Sequence, residues 1–167
     1  MTELLQAEGP RATIVVKFAE WIARSATFAE ATGIDDWQKV LAKHVHYPSL
    51  EVATAPTMFP FGVVGLPPGG GYRRSRLADG MFSSNGRVRF VFGRTYSPEA
   101  SAKDPLISFL NWSDGIIADI ERAAEEDGFR IFEWTEVMES QRTDPAEESV
   151  DQPYYDNWFD VEWGTFR

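Results

Sequence analysis

The sequence predicts an α+β domain in which helices pack on one face of a mostly antiparallel sheet and a long hairpin or loop projects. Three observations lead to this fold class. Apolar residues recur at helical spacing over 11–31 and again over 105–128. Arg87, Arg89 and Val91 alternate with Val88, Phe90 and Phe92, which is the period of a strand with one buried face. Aromatic-rich segments at 129–138 and 158–166 indicate further strands, an order typical of α+β proteins.

The composition is typical of a single domain covering residues 1–167. A hydrophobic content of 43% supports a real core, and the absence of cysteine excludes disulfides and thiolate metal sites. No apolar segment approaches the roughly 20 residues that a membrane span needs, and no signal-peptide pattern is present. We therefore expect a soluble protein made in the cytoplasm, without a membrane partner.

Two helices are predicted near the start of the chain, after a loose lead-in of residues 1–11. The first covers about 11–31 and stops at Gly33, because glycine tolerates the left-handed conformation that ends many helices. The second begins at Asp35 or Asp36, since either carboxylate can accept hydrogen bonds from the first turn. The main apolar positions expected in the core are Val15, Phe18, Trp21, Ile22, Phe28, Trp37, Val40 and Leu41.

Residues 44–47 indicate a short strand that ends at Pro48. His44 and His46 would then share one face of this strand, as a possible metal-binding pair. No third ligand is evident in the sequence, so we interpret both histidines as exposed residues of an edge strand. We expect no bound metal.

Two strands are predicted in the middle of the chain. Residues 59–65 form the first, which starts near a sheet edge because prolines precede and interrupt its beginning. Asn85-Gly86 predicts a tight hairpin turn before the second, since both residues tolerate positive φ. The second strand, 87–92, would place Val88, Phe90 and Phe92 in the core and direct Arg87 and Arg89 outward.

A glycine-rich segment at 66–80 predicts a projecting arm. Gly69-Gly70-Gly71 supplies a flexible break, but no Gly-Lys-Ser/Thr follows it, which excludes a phosphate-binding loop. Arg73, Arg74 and Arg76 come next. Because arginine makes directional, two-pronged contacts with carboxylates, the pattern favours docking on an acidic neighbour over an ordinary exposed basic loop.

The clearest helix follows the central strands. Asp104 is its expected cap and Pro105 its first residue, and it should end at Gly128. Gly115 lies inside this helix, where glycine is unfavourable relative to alanine by about 1 kcal/mol. We therefore expect Gly115 to mark a close contact with another element.

A polar, acidic loop is predicted at about 140–157, partly disordered, between the last two strands. The acidic residues singled out there as interface candidates are Asp144, Glu147, Glu148 and Asp156. The closing strand would place Trp158, Asp160 and Glu162 on one face and Phe159, Val161 and Trp163 on the other.

Charge is distributed unevenly along the chain, whose net charge is −10. Residues 1–94 carry eleven Lys/Arg and eight Asp/Glu, whereas residues 95–167 carry five and eighteen. Such asymmetry suits a protein that meets its own copies or another protein through opposite charges, with simple solubility as an equal alternative. The acidic total argues against tight, non-specific binding of duplex DNA.

Several phrases of the sequence resemble one family. They are the leading helix, His46-Tyr47-Pro48, Phe59-Pro60-Phe61, the segment Gly86–Phe92, the helix Leu106–Ala124, the approach Tyr154–Trp158 and the closing segment Phe159–Gly164. Together they resemble the tail terminator proteins of long-tailed phages, the minor-tail-protein-U-like or tail-completion family, with similar members in gene-transfer-agent particles. The resemblance spans most of the chain and consists of patterns of shape, with no chemical signature.

The resemblance implies a structural virion protein of the tail and neck, assembled in the host cytoplasm. Six copies would form a ring that caps the tail tube, stops its polymerisation and joins it to the head connector. The implied partners are other copies of the chain, the tail tube protein and a head-completion protein, with DNA passing through the lumen unbound. No cofactor is implied.

A ring repeats one head-to-tail interface, so each subunit needs two complementary patches. The basic patch expected from the sequence contains Arg73, Arg74, Arg76, Arg87 and Arg89, and the acidic patch contains Asp144, Glu147, Glu148 and Asp156.

Other functions remain as alternatives. One is another head–tail neck component, such as a head-closure or adaptor protein, and the other is a small ligand-binding module, which the aromatic strands would also suit. The sequence holds no hydrolase, zinc-protease or phosphate-loop motif. Glu147 with Glu148, or Asp156 with Asp160, would be conceivable acid/base pairs, but an acidic solvated loop explains them more simply. We expect no catalytic residue and no enzyme activity.

Overall fold

A computed structural model describes residues 9–47, 58–69, 72–76, 82–96, 105–142 and 154–165. This part of the chain forms four helices and a mixed, mostly antiparallel sheet of six strands, with the helices on one side, which confirms the predicted α+β class. The elements are α1 (Pro10–Arg24), α2 (Ala26–Thr32), α3 (Trp37–His44), β1 (Val45–His46), β2 (Phe61–Gly65), β3 (Arg73–Arg76), β4 (Phe82–Thr95), α4 (Pro105–Glu126), β5 (Phe129–Arg142) and β6 (Tyr154–Thr165).

The long strand β4 is the centre of the sheet, whose strand order is β1-β2-β4-β6-β5. β6 pairs with β4 in antiparallel register from Ser84↔Thr165 to Thr95↔Tyr154. The other edge of β4 is shared, because β3 pairs with its residues 82–85 and β2 with its residues 89–93. Only β1 and β2 run parallel among the described strands.

The core lies between the helices and one face of the sheet. Val88, Phe90 and Phe92 are fully buried, as the alternation of β4 predicts. β6 alternates in the same way, with Phe159, Val161 and Trp163 buried and the residues between them half-exposed, which confirms its predicted faces. The fully buried residues of the helices that meet these strands include Ile14, Phe18, Ile22, Phe28, Ile116 and Ile120.

The predicted first helix is in fact two helices, so that prediction was wrong at Ser25. Ser25 is buried, caps α2 by accepting a hydrogen bond from the Phe28 amide at 3.1 Å, and donates to Asp119 Oδ2 at 2.7 Å. A side chain that caps a new helix and bonds across to α4 favours a break there. The cap at Asp36 and the left-handed Gly33, with φ 68°, are confirmed.

The hairpin turn predicted at Asn85-Gly86 was wrong, because both residues lie inside β4. The positive-φ residues of the described chain are Gly33, Gly69 and Gly128, so Gly86 is not glycine for conformational reasons. A Cβ on Gly86 would lie 3.3 Å from Tyr72 Cα and 3.5 Å from the Trp163 indole. Gly86 is therefore needed for close approach of other elements.

The two histidines do not share a face, which corrects their interpretation as a pair on an edge strand. His44 ends α3 and is 4% exposed, with its Nδ1 2.7 Å from the Pro60 carbonyl oxygen. His46 lies in β1 and is exposed. Sequence alternation fails here because the helix continues one residue further than expected.

Three predicted segments differ in extent. Arg73–Arg76 form a strand of the sheet, so a long projecting arm over 66–80 is not confirmed. β5 continues to Arg142 and β6 begins at Tyr154, which shortens the predicted 140–157 loop from both ends. The lead-in predicted over residues 1–11 is shorter, because α1 already begins at Pro10. Its residues 1–8, the Asp104 cap and the centre of the acidic loop lie outside the described residues.

Gly115 marks a close contact, as predicted. A Cβ at Gly115 would lie 3.0 Å from Thr27 Cγ2, so α4 approaches α2 more closely than a larger residue allows. Next to it Trp112 Nε1 donates to the Thr27 carbonyl oxygen at 3.1 Å, and the buried Asn157 Nδ2 donates to Ser113 Oγ at 3.0 Å. These bonds satisfy polar groups inside the core.

Candidate functional site

The face of the sheet opposite the helices carries three of the five predicted basic residues, Arg73, Arg87 and Arg89. Because side chains alternate across a strand, the buried Val88 and Phe90 place Arg87 and Arg89 on this outer face. Their register partners on β6 are Glu162 and Asp160. The outer face therefore carries two neighbouring cross-strand pairs of opposite charge.

Arg89 and Asp160 form an ion pair within the subunit. Arg89 Nε donates to Asp160 Oδ1 at 2.7 Å and its Nη2 donates to Oδ2 at 2.9 Å, a two-pronged contact. The hydrogen bond to Asp160 raises the pKa of Arg89. Arg89 was predicted to be an interface residue, but the structure shows its charge matched within the subunit.

The next register partners, Arg87 and Glu162, do not form an ion pair. Arg87 is exposed, and no carboxylate of the described residues lies within 4.0 Å of its guanidinium. Arg87 and Glu162 line a depression of about 290 Å³ together with Arg73 and Asn85. The remaining lining residues are Gly69 and Gly86.

Strand β3 brings a second arginine to the same place. Arg73 is the register partner of Asn85, so it shares the outer face with Arg87, whereas Arg74 and Arg76 alternate to the opposite face. All four residues of β3 are exposed. Of the five predicted arginines, Arg73, Arg87 and Arg89 therefore lie on the outer face. Arg74 and Arg76 lie on the other face.

A gap in strand pairing lies beside Arg87. Pairing of β2 with β4 ends at Arg89 and pairing of β3 begins at Asn85, so no described strand pairs with residues 86–88 on that edge. A small cavity of about 10 Å³ lies at this gap on the helix side. It is lined by Arg11 and Ile14 of α1, by Leu66 and Tyr72, and by Gly86, Arg87 and Trp163.

Trp163 lines the small cavity and has an unpaired indole N–H group. Its side chain is 2% exposed, and its Nε1 is buried without a hydrogen-bond partner anywhere in the described ranges. A Cβ built on Gly86, which lines both cavities, would lie 3.5 Å from this nitrogen. A buried N–H group without a partner is unfavourable, and a cavity of about 10 Å³ has room for one water that would accept its hydrogen bond.

The predicted acidic patch is only partly placed. Asp144, Glu147 and Glu148 lie outside the described residues, and Asp156 lies in β6, where its Oδ2 accepts from Trp158 Nε1 at 3.1 Å. Sequence reasoning did not single out Arg11, Asn85, Glu162 or Trp163 as site residues. The alternation of the closing strand already placed Glu162 on one face with Asp160, but its position beside the arginines depends on the register of β4 with β6, and nothing in the sequence indicated the unpaired indole of Trp163.

No known family model matches the chain, and no curated protein shows a significant match to it. None of the described helices is long and apolar enough to cross a membrane. The residues that the structure describes contain no group of three or more His, Asp or Glu side chains that could hold a metal ion.

Proposed function

We propose that the protein is a tail terminator of a phage or phage-like particle, a structural subunit that forms a ring on the end of the tail tube. The observation that carries this proposal is the asymmetry of the sheet. One face is packed by helices, while the other presents Arg73 and Arg87 around an open depression. The resemblance of the sequence to tail terminator proteins favours a ring on the tail tube as the assembly.

A ring interface needs two different surfaces on each subunit, because every copy binds its neighbour head to tail. Arg73 and Arg87 belong to the basic surface in this proposal. Residues 95–167, which carry eighteen Asp/Glu against five Lys/Arg, supply the acidic surface. Opposite charges at an interface rim guide the approach and reject the wrong orientation.

The ring caps the tube, stops its polymerisation and offers its other face to a head-completion protein. The proposed partners are therefore other copies of the chain, the tail tube protein and the head-completion protein, and the final location is the neck of the virion after assembly in the host cytoplasm. The net charge of −10 disfavours phosphate binding, which suits a lumen through which DNA slides.

The direct test is tail length in particles made without this protein. Negative-stain microscopy should show over-long tails that carry no heads, and the wild-type gene supplied in trans should restore both length and joining. Tails of normal length joined to heads in its absence would reject the proposal.

The same complementation assay tests the basic surface. The double variant Arg73→Glu, Arg87→Glu should fail to restore tail length, because reversed charges repel an acidic neighbour. Lys43→Glu is the matched control, since Lys43 is an exposed residue in the last turn of α3 and lines neither cavity. Full rescue by the double variant would exclude this surface from assembly.

A further inference from the structure

The sheet has two edges that no described strand covers, one at β3 and one at β5. Among the described strands, β3 pairs only with β4 and β5 pairs only with β6. β5 runs from Phe129 to Arg142 without a proline or a lysine, the residues with which natural proteins often protect an exposed edge. An edge strand of this kind offers its backbone N–H and C=O groups to a strand of another chain.

One stretch of β5 matches β3 in length. Register shifts interrupt the pairing of β5 with β6 between Ile131 and Glu133 and again between Glu136 and Met138. Between these irregularities the pairing is regular over the four residues 133–136. β3 also has four residues, Arg73–Arg76. Because bulges disrupt strand pairing, residues 133–136 are the part of β5 on which a further strand of this length fits best.

The regular stretch of β5 carries a glutamate on each face of the sheet. Glu133 is the register partner of Glu162 and shares the outer face with it, whereas Glu136 lies opposite the buried Phe159 and shares the helix face. Both glutamates are exposed. Like charges directly opposite each other are unfavourable in a sheet, and a guanidinium beside Glu133 would offset this.

β3 carries arginines on the same two faces. Arg73 lies on the outer face, and Arg74 and Arg76 lie on the helix face. All of them are exposed. Pairing of β3 with β5 therefore brings opposite charges together on both faces. Pairing of β3 with a second β3, or of β5 with a second β5, would bring like charges together, so the charges select the head-to-tail combination.

Strand direction fits a ring. Three successive antiparallel pairings lead from β3 through β4 and β6 to β5, so β3 and β5 run in opposite directions within one subunit. Neighbours in a ring of six differ by a rotation of one sixth of a circle, which is too small to reverse a strand. β3 of one copy therefore meets β5 of the next in antiparallel orientation, and the outer face of one sheet continues into the outer face of the next.

We propose that β3 of one subunit adds to the edge of β5 of the next subunit at residues 133–136, so that the sheets of neighbouring copies join. Backbone hydrogen bonds connect the two strands, and the arginines of β3 pair with Glu133 and Glu136. This inference rests on the proposed ring and names its head-to-tail interface. The acidic surface proposed within residues 95–167 is then located on β5.

Disulfide cross-linking of the full chain tests the interface, because the sequence contains no cysteine. Ser75→Cys is combined with Glu133→Cys or with Thr135→Cys, since a register that keeps the outer faces together places Ser75 opposite one of these two residues. Within one subunit β3 and β5 are three strand spacings apart, about 14 Å, whereas a disulfide needs Cα atoms within roughly 7 Å. A disulfide between the two positions therefore joins two copies.

Oxidation of the protein, alone and on the tail tube, should give a ladder of covalent multimers that ends at six copies for one of the two double variants. Non-reducing gel electrophoresis measures the ladder. Each single-cysteine variant should give no species larger than a dimer. Ser75→Cys with Lys43→Cys is the matched control, because Lys43 is an exposed residue in the last turn of α3.

Charge exchange tests the same contact without a covalent bond. Glu133→Arg with Glu136→Arg should reduce the assembled fraction at least about tenfold, since like charges across an interface are strongly unfavourable. Adding Arg73→Glu and Arg76→Glu to the same chain should restore assembly, because the exchange keeps opposite charges on both faces.

A variant with the same change in net charge serves as the control for the charge exchange. Glu30→Arg with Asp35→Arg alters two exposed residues in and after α2, outside both edge strands, and should assemble like the wild type. Circular dichroism of every variant checks that it is folded.

Mass photometry separates failure of this inference from failure of the ring. If the wild type assembles but neither cysteine pair gives a ladder, the edge pairing is overturned and the ring stands. If the wild type does not assemble, alone or on the tube, and no ladder forms, both are overturned. A ladder that extends past six copies supports the edge pairing and contradicts the closed ring.

Discussion

Two buried tryptophans contact the same aromatic ring and yet differ in what satisfies them. The rings of Trp21 and Trp163 lie 5.5 Å and 6.2 Å from the ring of Phe129, and their side chains are 1% and 2% exposed. The indole N–H of Trp21 donates a hydrogen bond to Asp127, whereas the indole N–H of Trp163 has no acceptor in the described chain. The two indoles are thus equally buried and differ in whether the described chain supplies an acceptor for the N–H group.

The outer face of the sheet repeats the contrast one register apart. Arg89 is held by Asp160 through two hydrogen bonds, while Arg87 opposite Glu162 is left without an ion pair among the described residues. Both open members, Trp163 and Arg87, line the same cavity. Trp163 and Arg87 therefore both border the gap between β2 and β3.

The largest expected effect comes from removing each indole N–H in turn. Trp21→Phe should lower the free energy of unfolding by about 1–3 kcal/mol more than Trp163→Phe, because it leaves the charged Asp127 without its donor. The loss of ring volume is common to both variants and cancels in the comparison. Urea unfolding followed by circular dichroism measures the difference, and equal losses would show that the two indoles are not distinct.

A smaller effect is expected on the outer face. Asp160→Asn should cost about 1 kcal/mol, since it removes the charge from a two-pronged contact whose side chains are only 28% and 16% exposed. Glu162→Gln should change stability by no more than about 0.5 kcal/mol, as is usual for surface substitutions. Thermal melts of both variants measure the two losses of stability. A larger loss for Glu162→Gln than for Asp160→Asn would contradict the distinction between the Arg89–Asp160 pair and the Arg87–Glu162 pair.

The smallest expected effect is a loss of stability at acidic pH that arises from Asp127, the carboxylate bound by Trp21. The hydrogen bond from Trp21 is the main cause that holds the pKa of Asp127 below its ordinary value of 3.8, with Lys17 adding to it. A depressed carboxyl pKa stabilises the fold fully above that ordinary value, and this stabilisation is lost as the pH falls through the lower, folded-state pKa.

Asp127→Asn should remove this contribution. The unfolding free energy of the wild type should therefore fall more steeply between pH 5 and about pH 2 than that of the variant, by about 1 kcal/mol or less. Urea titrations across that pH range provide the measurement. Identical pH profiles would mean that Asp127 is not held by Trp21 in solution.

The sequence predicted those parts of the fold that depend on local periodicity. The alternation around Phe90 identified which side of β4 is buried and which side carries Arg87, because a strand has only two faces. The contact at Gly115 was also predictable, since glycine inside a helix needs a reason.

The sequence did not predict features that depend on distant partners. Gly86 resembles a turn residue until Tyr72 and Trp163 are placed against it, and the role of Ser25 depends on Asp119 across the fold. The open indole of Trp163 is a property of the same kind, since an aromatic residue on a strand face predicts burial but not whether its N–H finds an acceptor. The site thus required the structure.

Native mass spectrometry of the purified chain, alone and mixed with the tail tube protein, tests the central claim that this protein works by charge-matched self-association. We predict one closed assembly of six copies, formed alone or on the tube, and its loss in the Arg73→Glu, Arg87→Glu variant but not in Lys43→Glu. A wild-type chain that stays monomeric under both conditions, or a double variant that assembles like the wild type, would contradict the claim.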